Sequence, residues 1–127
     1  MTECAVLLVE DEEVFRELIA KQLRAHGFPT VTAGTGGEAA RALQGGLRPG
    51  VVLLDLNLPD GSGWDLLRGP LASAPGRPPV IVVSALTVAP RRLREFGVSG
   101  YLPKPFAPAT LLDLVARMLT AKELINP

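Results

Sequence analysis

The sequence predicts an α/β domain: a doubly wound, five-stranded parallel sheet flanked by five helices. Three observations carry this expectation. The runs "AVLLVE" (5–10), "VVLLDL" (51–56) and "PVIVVSA" (79–85) are continuously apolar. Strands covered on both faces read this way, whereas half-exposed strands alternate. Helical patterns separate the runs, so strand and helix alternate five times. Polar residues also stand at the carboxyl ends of the strands, where open parallel sheets gather ligands.

Each element has its own signal. After the first strand, Val14, Phe15, Leu18, Ile19 and Leu23 fall on one helix face, and Gly27 can end that helix. "PTVTA" (29–33) is a weaker strand candidate. Glu38 to Leu43 reads as a short helix closed by Gly45 and Gly46. The strand 51–56 leads to a helix from Trp64 to Leu71. The strand 79–85 leads to a helix from Arg91 to Phe96, with Pro90 near its start and Gly97 after it. "GYLP" (100–103) is the second weak strand. Leu111, Leu112, Val115, Met118 and Leu119 mark the last helix, with Pro108 near its first turn. Parallel neighbours in such a sheet are joined by right-handed crossovers.

The chain's 127 residues suffice for one domain with a real core. We expect that domain over 1–122 and a tail or linker start over 123–127. Thirteen basic and thirteen acidic residues cancel, which leaves no general drive toward nucleic acid or anionic membranes. No apolar run reaches about 18 residues, so no membrane span is expected. The N-terminus "MTECAV" lacks the basic region of a signal peptide. The single cysteine, Cys4, cannot form an internal disulfide or a cysteine-based zinc site. It reads as a small core residue in a reducing compartment, and the expected location is cytoplasmic.

The strand ends carry the chemistry. The first strand ends in Glu10 and Asp11, the third in Asp55 and the fourth in Ser84 and Ala85; Lys104 and Pro105 follow the fifth. All would converge on one edge of the sheet. Clustered carboxylates repel, and their proton affinities rise unless a cation is present. Hard oxygen ligands suit magnesium, which keeps several waters and readily shares a phosphate. A carboxylate, a hard cation, a hydroxyl and an ammonium are what phosphoryl transfer to a carboxylate needs.

"LLVEDEE", "VVLLDLNLPDGSGWDLL", "VIVVSA" and "YLPKPF", in this order, resemble the receiver domain of bacterial two-component response regulators. The resemblance covers about residues 5 to 120, and the 44 residues from Asp11 to Asp55 are similar to the family's spacing. It implies a flavodoxin-like fold and a phosphorelay role, as follows. Asp55 would accept a phosphoryl group from a histidine kinase or phosphotransfer protein. Asp11 would bind Mg2+ directly, with Mn2+ an alternative, and Glu10 through water. Asn57 would offer its backbone carbonyl to the metal. Ser84 would hydrogen-bond a phosphoryl oxygen, Ala85 would leave room for the donor, and Lys104 would pair with Asp55 or its phosphate. Pro105 would follow a cis peptide bond. Tyr101 would be the aromatic switch, moving inward as Ser84 moves toward the phosphate. Phosphorylation would then shift the population toward a signalling conformation. The implied partners also include an output domain or target protein and a phosphorylation-dependent homodimer. The implied chemistry is limited to the domain's own phosphorylation and autodephosphorylation, so it is not expected to be an enzyme in its own right.

Several features have plainer readings. Glu12 and Glu13 read as acids favoured at a helix start. Trp64 reads as cover for the third helix, and His26 as a charge at a helix terminus. "GTGG" (34–37) hints at a phosphate loop but lacks a strong preceding strand and a full fingerprint. Arg91, Arg92 and Arg94 make the fourth helix basic, a solvated face by default. The 20 residues from Ser84 to Lys104 are fewer than is usual for the family, which predicts a short fourth helix. Rival readings are a degenerate receiver that binds partners without phosphorylation, an aspartyl phosphatase and a dinucleotide-binding fold. The complete set Glu10, Asp11, Asp55, Ser84 and Lys104 argues against the first. Asn57 stands where such phosphatases usually carry a second acid. No glycine fingerprint follows the first strand, which disfavours the third.

Overall fold

The computed structural model describes residues 2–74 and 76–125. Five parallel strands form the main sheet: β1 (Thr2–Val9), β2 (Thr30–Ala33), β3 (Leu47–Asp55), β6 (Val80–Ser84) and β7 (Gly100–Pro103). A two-stranded hairpin, β4 (Asn57–Leu58) with β5 (Gly61–Ser62), interrupts the count. The helices are α1 (Glu13–Ala25), α2 (Gly36–Gln44), α3 (Gly63–Arg68), α4 (Pro70–Ser73), α5 (Pro90–Glu95) and α6 (Pro108–Ile125). The main sheet runs in the order β2-β1-β3-β6-β7. Chain order reverses between β1 and β3, so a crevice opens at the carboxyl ends of those two strands.

Successive strand residues point to opposite faces, and both faces are covered. Leu7, Val9, Val52, Leu54, Val80 and Val82 pack with residues of α2, α3 and α4. Val6, Leu8, Val51, Leu53, Ile81 and Val83 pack with α1 and α6. This two-sided burial is why the strands read as unbroken apolar runs. Each fully buried Leu, Ile or Val contributes about 1.5–3 kcal/mol of transfer free energy.

Three elements differ from the sequence-based expectation. The predicted third helix is two, because Gly69 and Pro70 break it between α3 and α4. The turn formers of "NLPDG" close a small hairpin, with Asn57 opposite Ser62 and Leu58 opposite Gly61. On α1 the apolar face is narrower than predicted. At about 100° per residue, Phe15, Ile19 and Leu23 fall together, while Val14 and Leu18 fall to one side. Val14 is 74% exposed and Leu18 50%. The short fourth predicted helix is the six-residue α5. The last helix runs to Ile125, past the expected boundary at residue 122, and residues 126 and 127 lie outside the described residues.

Candidate functional site

Register brings the strand ends level. Val9 pairs with Leu54, Asp55 with Val83, and Ser84 with Pro103. The Glu10 N–H donates to the Ala33 carbonyl at 3.0 Å, and the Lys104 N–H to the Ser84 carbonyl at 2.8 Å. Glu10, Asp55 and Ser84 are buried at this edge, at 2%, 6% and 3% exposure. Asp11, next in the chain, is exposed. The peptide bond from Lys104 to Pro105 is cis.

Lys104 ties the buried acids together. Its Nζ lies 2.6 Å from Glu10 Oε1 and 3.2 Å from Asp55 Oδ2. It also sits 4.9 Å from the centroid of the Phe15 ring. The other Asp55 oxygen, Oδ1, accepts from the Asn57 N–H at 2.9 Å. Burial, and then the hydrogen bond shared with Asp55, push the Glu10 pKa up to about 7, against the opposing pull of Lys104. Burial alone would lower the Lys104 pKa. The hydrogen bond to Glu10 and the charge of Asp55 outweigh it, so Lys104 is held above the ordinary lysine value. Its charge is secure at neutral pH.

Glu10, Asp11 and Asp55 each offer a carboxylate oxygen, and these oxygens lie within 4.8 Å of one another. The donor set fits a hard divalent cation. It consists of charged oxygens alone, two of its acids are buried side by side, and the third faces solvent.

Neighbouring residues fix this edge. Arg16 Nη1 donates to the carbonyls of Glu10 at 3.0 Å and Asp11 at 3.4 Å. Glu12 caps α1, its carboxylate accepting from the N–H groups of Val14 and Phe15. Glu13 opens the first turn of that helix. Gly63 lies so close to the acceptor loop that a Cβ there would stand 2.8 Å from the Asp55 carbonyl oxygen. Arg16 and Gly63 carried no isolated signal in the sequence. An arginine one turn into the helix after the acidic run was the only hint.

The far side of the site is built on the segment after β6. Ser84 Oγ accepts from the Leu86 N–H at 3.0 Å, and Tyr101 OH donates to the Leu86 carbonyl at 3.0 Å. Ala85 is exposed between them and presents only a methyl group. A groove of about 520 Å³ runs alongside, lined by Asn57, Trp64, Ser84, Leu86 and Arg92 among others. Trp64 does more than cover α3. Its ring stacks with Phe96 at 4.8 Å, and the Arg92 guanidinium lies 4.8 Å above it. His26 caps the end of α1, with Nδ1 2.9 Å from the Gln22 carbonyl.

The family model of the response regulator receiver domain matches residues 6–116. The chain belongs to this family. The receiver domain is 38% identical over 104 residues to the probable transcriptional regulatory protein TcrX of Mycobacterium tuberculosis. That match covers 80% of this chain and 44% of the relative. It is 36% identical over 107 residues to a protein-glutamate methylesterase/protein-glutamine glutaminase of Anaeromyxobacter dehalogenans, covering 84% of this chain and 31% of that one. The chain thus spans half or less of the length of these relatives. Among solved structures, a CheY-like receiver domain from Methanospirillum hungatei superposes with a TM-score of 0.87 at 23% identity, covering 99% of both chains. The non-phosphorylated HemR receiver domain from Leptospira biflexa has a TM-score of 0.80 at 30% identity, covering 94% of this chain and 95% of that one. Among the described residues no helix is long and apolar enough to cross a membrane.

Proposed function

We propose that this receiver domain takes a phosphoryl group onto Asp55 from a histidine kinase or phosphotransfer protein and signals by the resulting change of shape. The observation that carries the reading is the position of Asp55. Its carboxylate is buried at the switch point, held by Lys104 and the Asn57 N–H, and grouped with Glu10 and Asp11.

Glu10, Asp11, Asp55 and the Asn57 carbonyl would hold Mg2+, or Mn2+ in its place. The bound ion supplies charge neutralisation on the phosphoryl oxygens. Asp55 attacks phosphorus, so an O–P bond forms as the donor's P–N bond breaks. The electron pair leaves with the imidazole, which regains its proton from water. Lys104 supplies a fixed positive charge beside the new phosphate. Hydrolysis later returns the carboxylate and inorganic phosphate. Metabolite turnover is not part of this reading.

Ser84 turns from the Leu86 N–H toward a phosphoryl oxygen, and Ala85 leaves the approach open. The Leu86 segment then moves, which frees Tyr101 from its carbonyl and lets the ring swing inward. An output domain, a target protein or a second phosphorylated copy reads the altered surface in the cytoplasm. The complete acid, hydroxyl and lysine set favours this over a phosphorylation-independent interaction module.

Incubation with acetyl phosphate and Mg2+ tests the proposal by intact-protein mass. A gain of one phosphate that Asp55→Ala abolishes is expected. An unlabelled parent domain, or undiminished labelling of Asp55→Ala, overturns it.

A further inference from the structure

The hairpin that follows Asp55 is pinned from a distance. Asp60 sits at its tip, between β4 and β5, and its carboxylate reaches the start of α2. Oδ1 accepts from the Gly36 N–H at 3.0 Å and Oδ2 from the Gly37 N–H at 2.8 Å. These partners lie 24 and 23 residues away in sequence. The contact is charge-assisted and bidentate, and it faces the positive end of a helix dipole. Thr35 satisfies the next donor, the Glu38 N–H, at 3.0 Å. Asp60 and Thr35 between them thus accept from three successive amides at the start of α2.

The glycines make room for this contact. A Cβ at Gly36 would stand 3.3 Å from Asp60 Oδ1, and one at Gly37 3.1 Å from Asp60 Oδ2. Both values are tighter than ordinary carbon–oxygen contacts. "GTGG", which looked like an incomplete phosphate loop, is a seat for an internal carboxylate.

The other end of the same hairpin is Asn57, whose N–H holds Asp55 Oδ1 at 2.9 Å. Only Leu58 and Pro59 separate Asn57 from Asp60. Fixing the tip therefore restricts the peptide that orients the acceptor carboxylate. We propose that Asp60 is a positioning residue for the chemistry at Asp55, acting through the hairpin and Asn57 from its seat on Gly36 and Gly37. This rests on the reading of Asp55 as the phosphoryl acceptor. Misplacement of a reacting group by about 1 Å can cost about a hundredfold in rate, so a loosened hairpin has a measurable consequence.

The test measures the rate constant for labelling by acetyl phosphate, and its midpoint in Mg2+, for the 127-residue chain and four variants. Asp60→Ala should lower the rate constant or raise the Mg2+ midpoint by about tenfold, below the hundredfold limit because Lys104 still holds Asp55. Gly37→Ala, which crowds the carboxylate from the opposite side, should reproduce part of that loss. Combining the two should add nothing to Asp60→Ala alone, because one contact is removed twice. Asp60→Asn keeps an oxygen acceptor and should fall between, which also serves if Asp60→Ala does not fold. Exchange of the Asn57 amide, followed by NMR, should quicken in Asp60→Asn. A merely structural role would lower the melting temperature and leave the rate constant and Mg2+ midpoint of the folded protein unmoved; that result overturns the proposal, as do additive losses in the double variant. A parent domain that is never labelled overturns the acceptor reading beneath it, and the proposal with it.

Discussion

Ser84 and Tyr101 hydrogen-bond to the two polar ends of one residue: Leu86 donates its N–H to Ser84 and accepts at its carbonyl from Tyr101. The two side chains come from the adjacent strands β6 and β7, yet their coupling runs through a single loop residue. Ser84→Ala should therefore leave labelling by acetyl phosphate measurable while abolishing the phosphorylation-induced change in the Tyr101 ring signals by NMR. Tyr101→Phe should cost about 0.5–1.5 kcal/mol in chemical denaturation, the usual net worth of one hydrogen bond. An unchanged Tyr101 response in Ser84→Ala would break the link.

The four consecutive acids separate into two jobs. Glu12 and Glu13 serve the start of α1, whereas Glu10 and Asp11 belong to the cluster with Asp55. Asp11→Ala should abolish Mg2+-dependent labelling. It should change stability by less than about 0.5 kcal/mol, since the residue is exposed. Glu13→Ala should leave labelling nearly intact. Equal effects of the two substitutions on labelling would sink the division.

Glu10 predicts a pH dependence in the absence of metal. Its folded pKa, about 7, lies above the ordinary value of 4.5. Between these values the folded state keeps a proton that the unfolded chain has lost. The stability from this group is fully present below the ordinary value and is lost as pH rises through about 7. In chelator, the urea midpoint of the unaltered domain should fall more between about pH 5 and pH 8 than that of Glu10→Gln. Added Mg2+ competes with the proton, so its stabilising effect should grow over the same range. Parallel pH profiles for the two proteins would refute this.

Gly63 leaves no space for a side chain. A Cβ there would lie 2.8 Å from both the Asp55 carbonyl oxygen and Leu56 Cα, and both are backbone atoms that cannot rotate away. Gly63→Ala should destabilise the domain by about 1–3 kcal/mol, as overpacking does, and should slow labelling. Denaturation and labelling of the same sample check both. A fully stable and fully active variant would show that the loop has more room than this.

The sheet was legible because its signal is local: each central strand is a short unbroken apolar run. The runs at 51–56 and 79–85 are too short for helices and read as strands covered on both faces, and Asp55 and Ser84 near their ends could not sit in that core without a purpose. Lys104 was legible through its place after the last strand. Asp60 and Arg16 were not, because each acts on backbone far away or out of register with any repeat. An aspartate among turn formers reads the same whether it points to solvent or to Gly36. Val14 and Leu18 misled because both are apolar, and only the angle at which α1 meets the sheet decides which apolar residues it buries. The break between α3 and α4 was visible in Gly69 and Pro70 but was subordinate to the pattern around it.

The aromatic stack beside the site gives the domain a built-in optical reporter. Trp64 is the only tryptophan in the chain and lines the same groove as Asn57 and Ser84. Its indole lies against Phe96 and beneath the Arg92 guanidinium, so its emission is sensitive to small displacements of either. Any event that moves the loops carrying Asn57 or Leu86 shifts the walls around that fluorophore. Ion binding and phosphorylation of unlabelled protein can therefore be followed in real time by emission intensity, without attaching a dye.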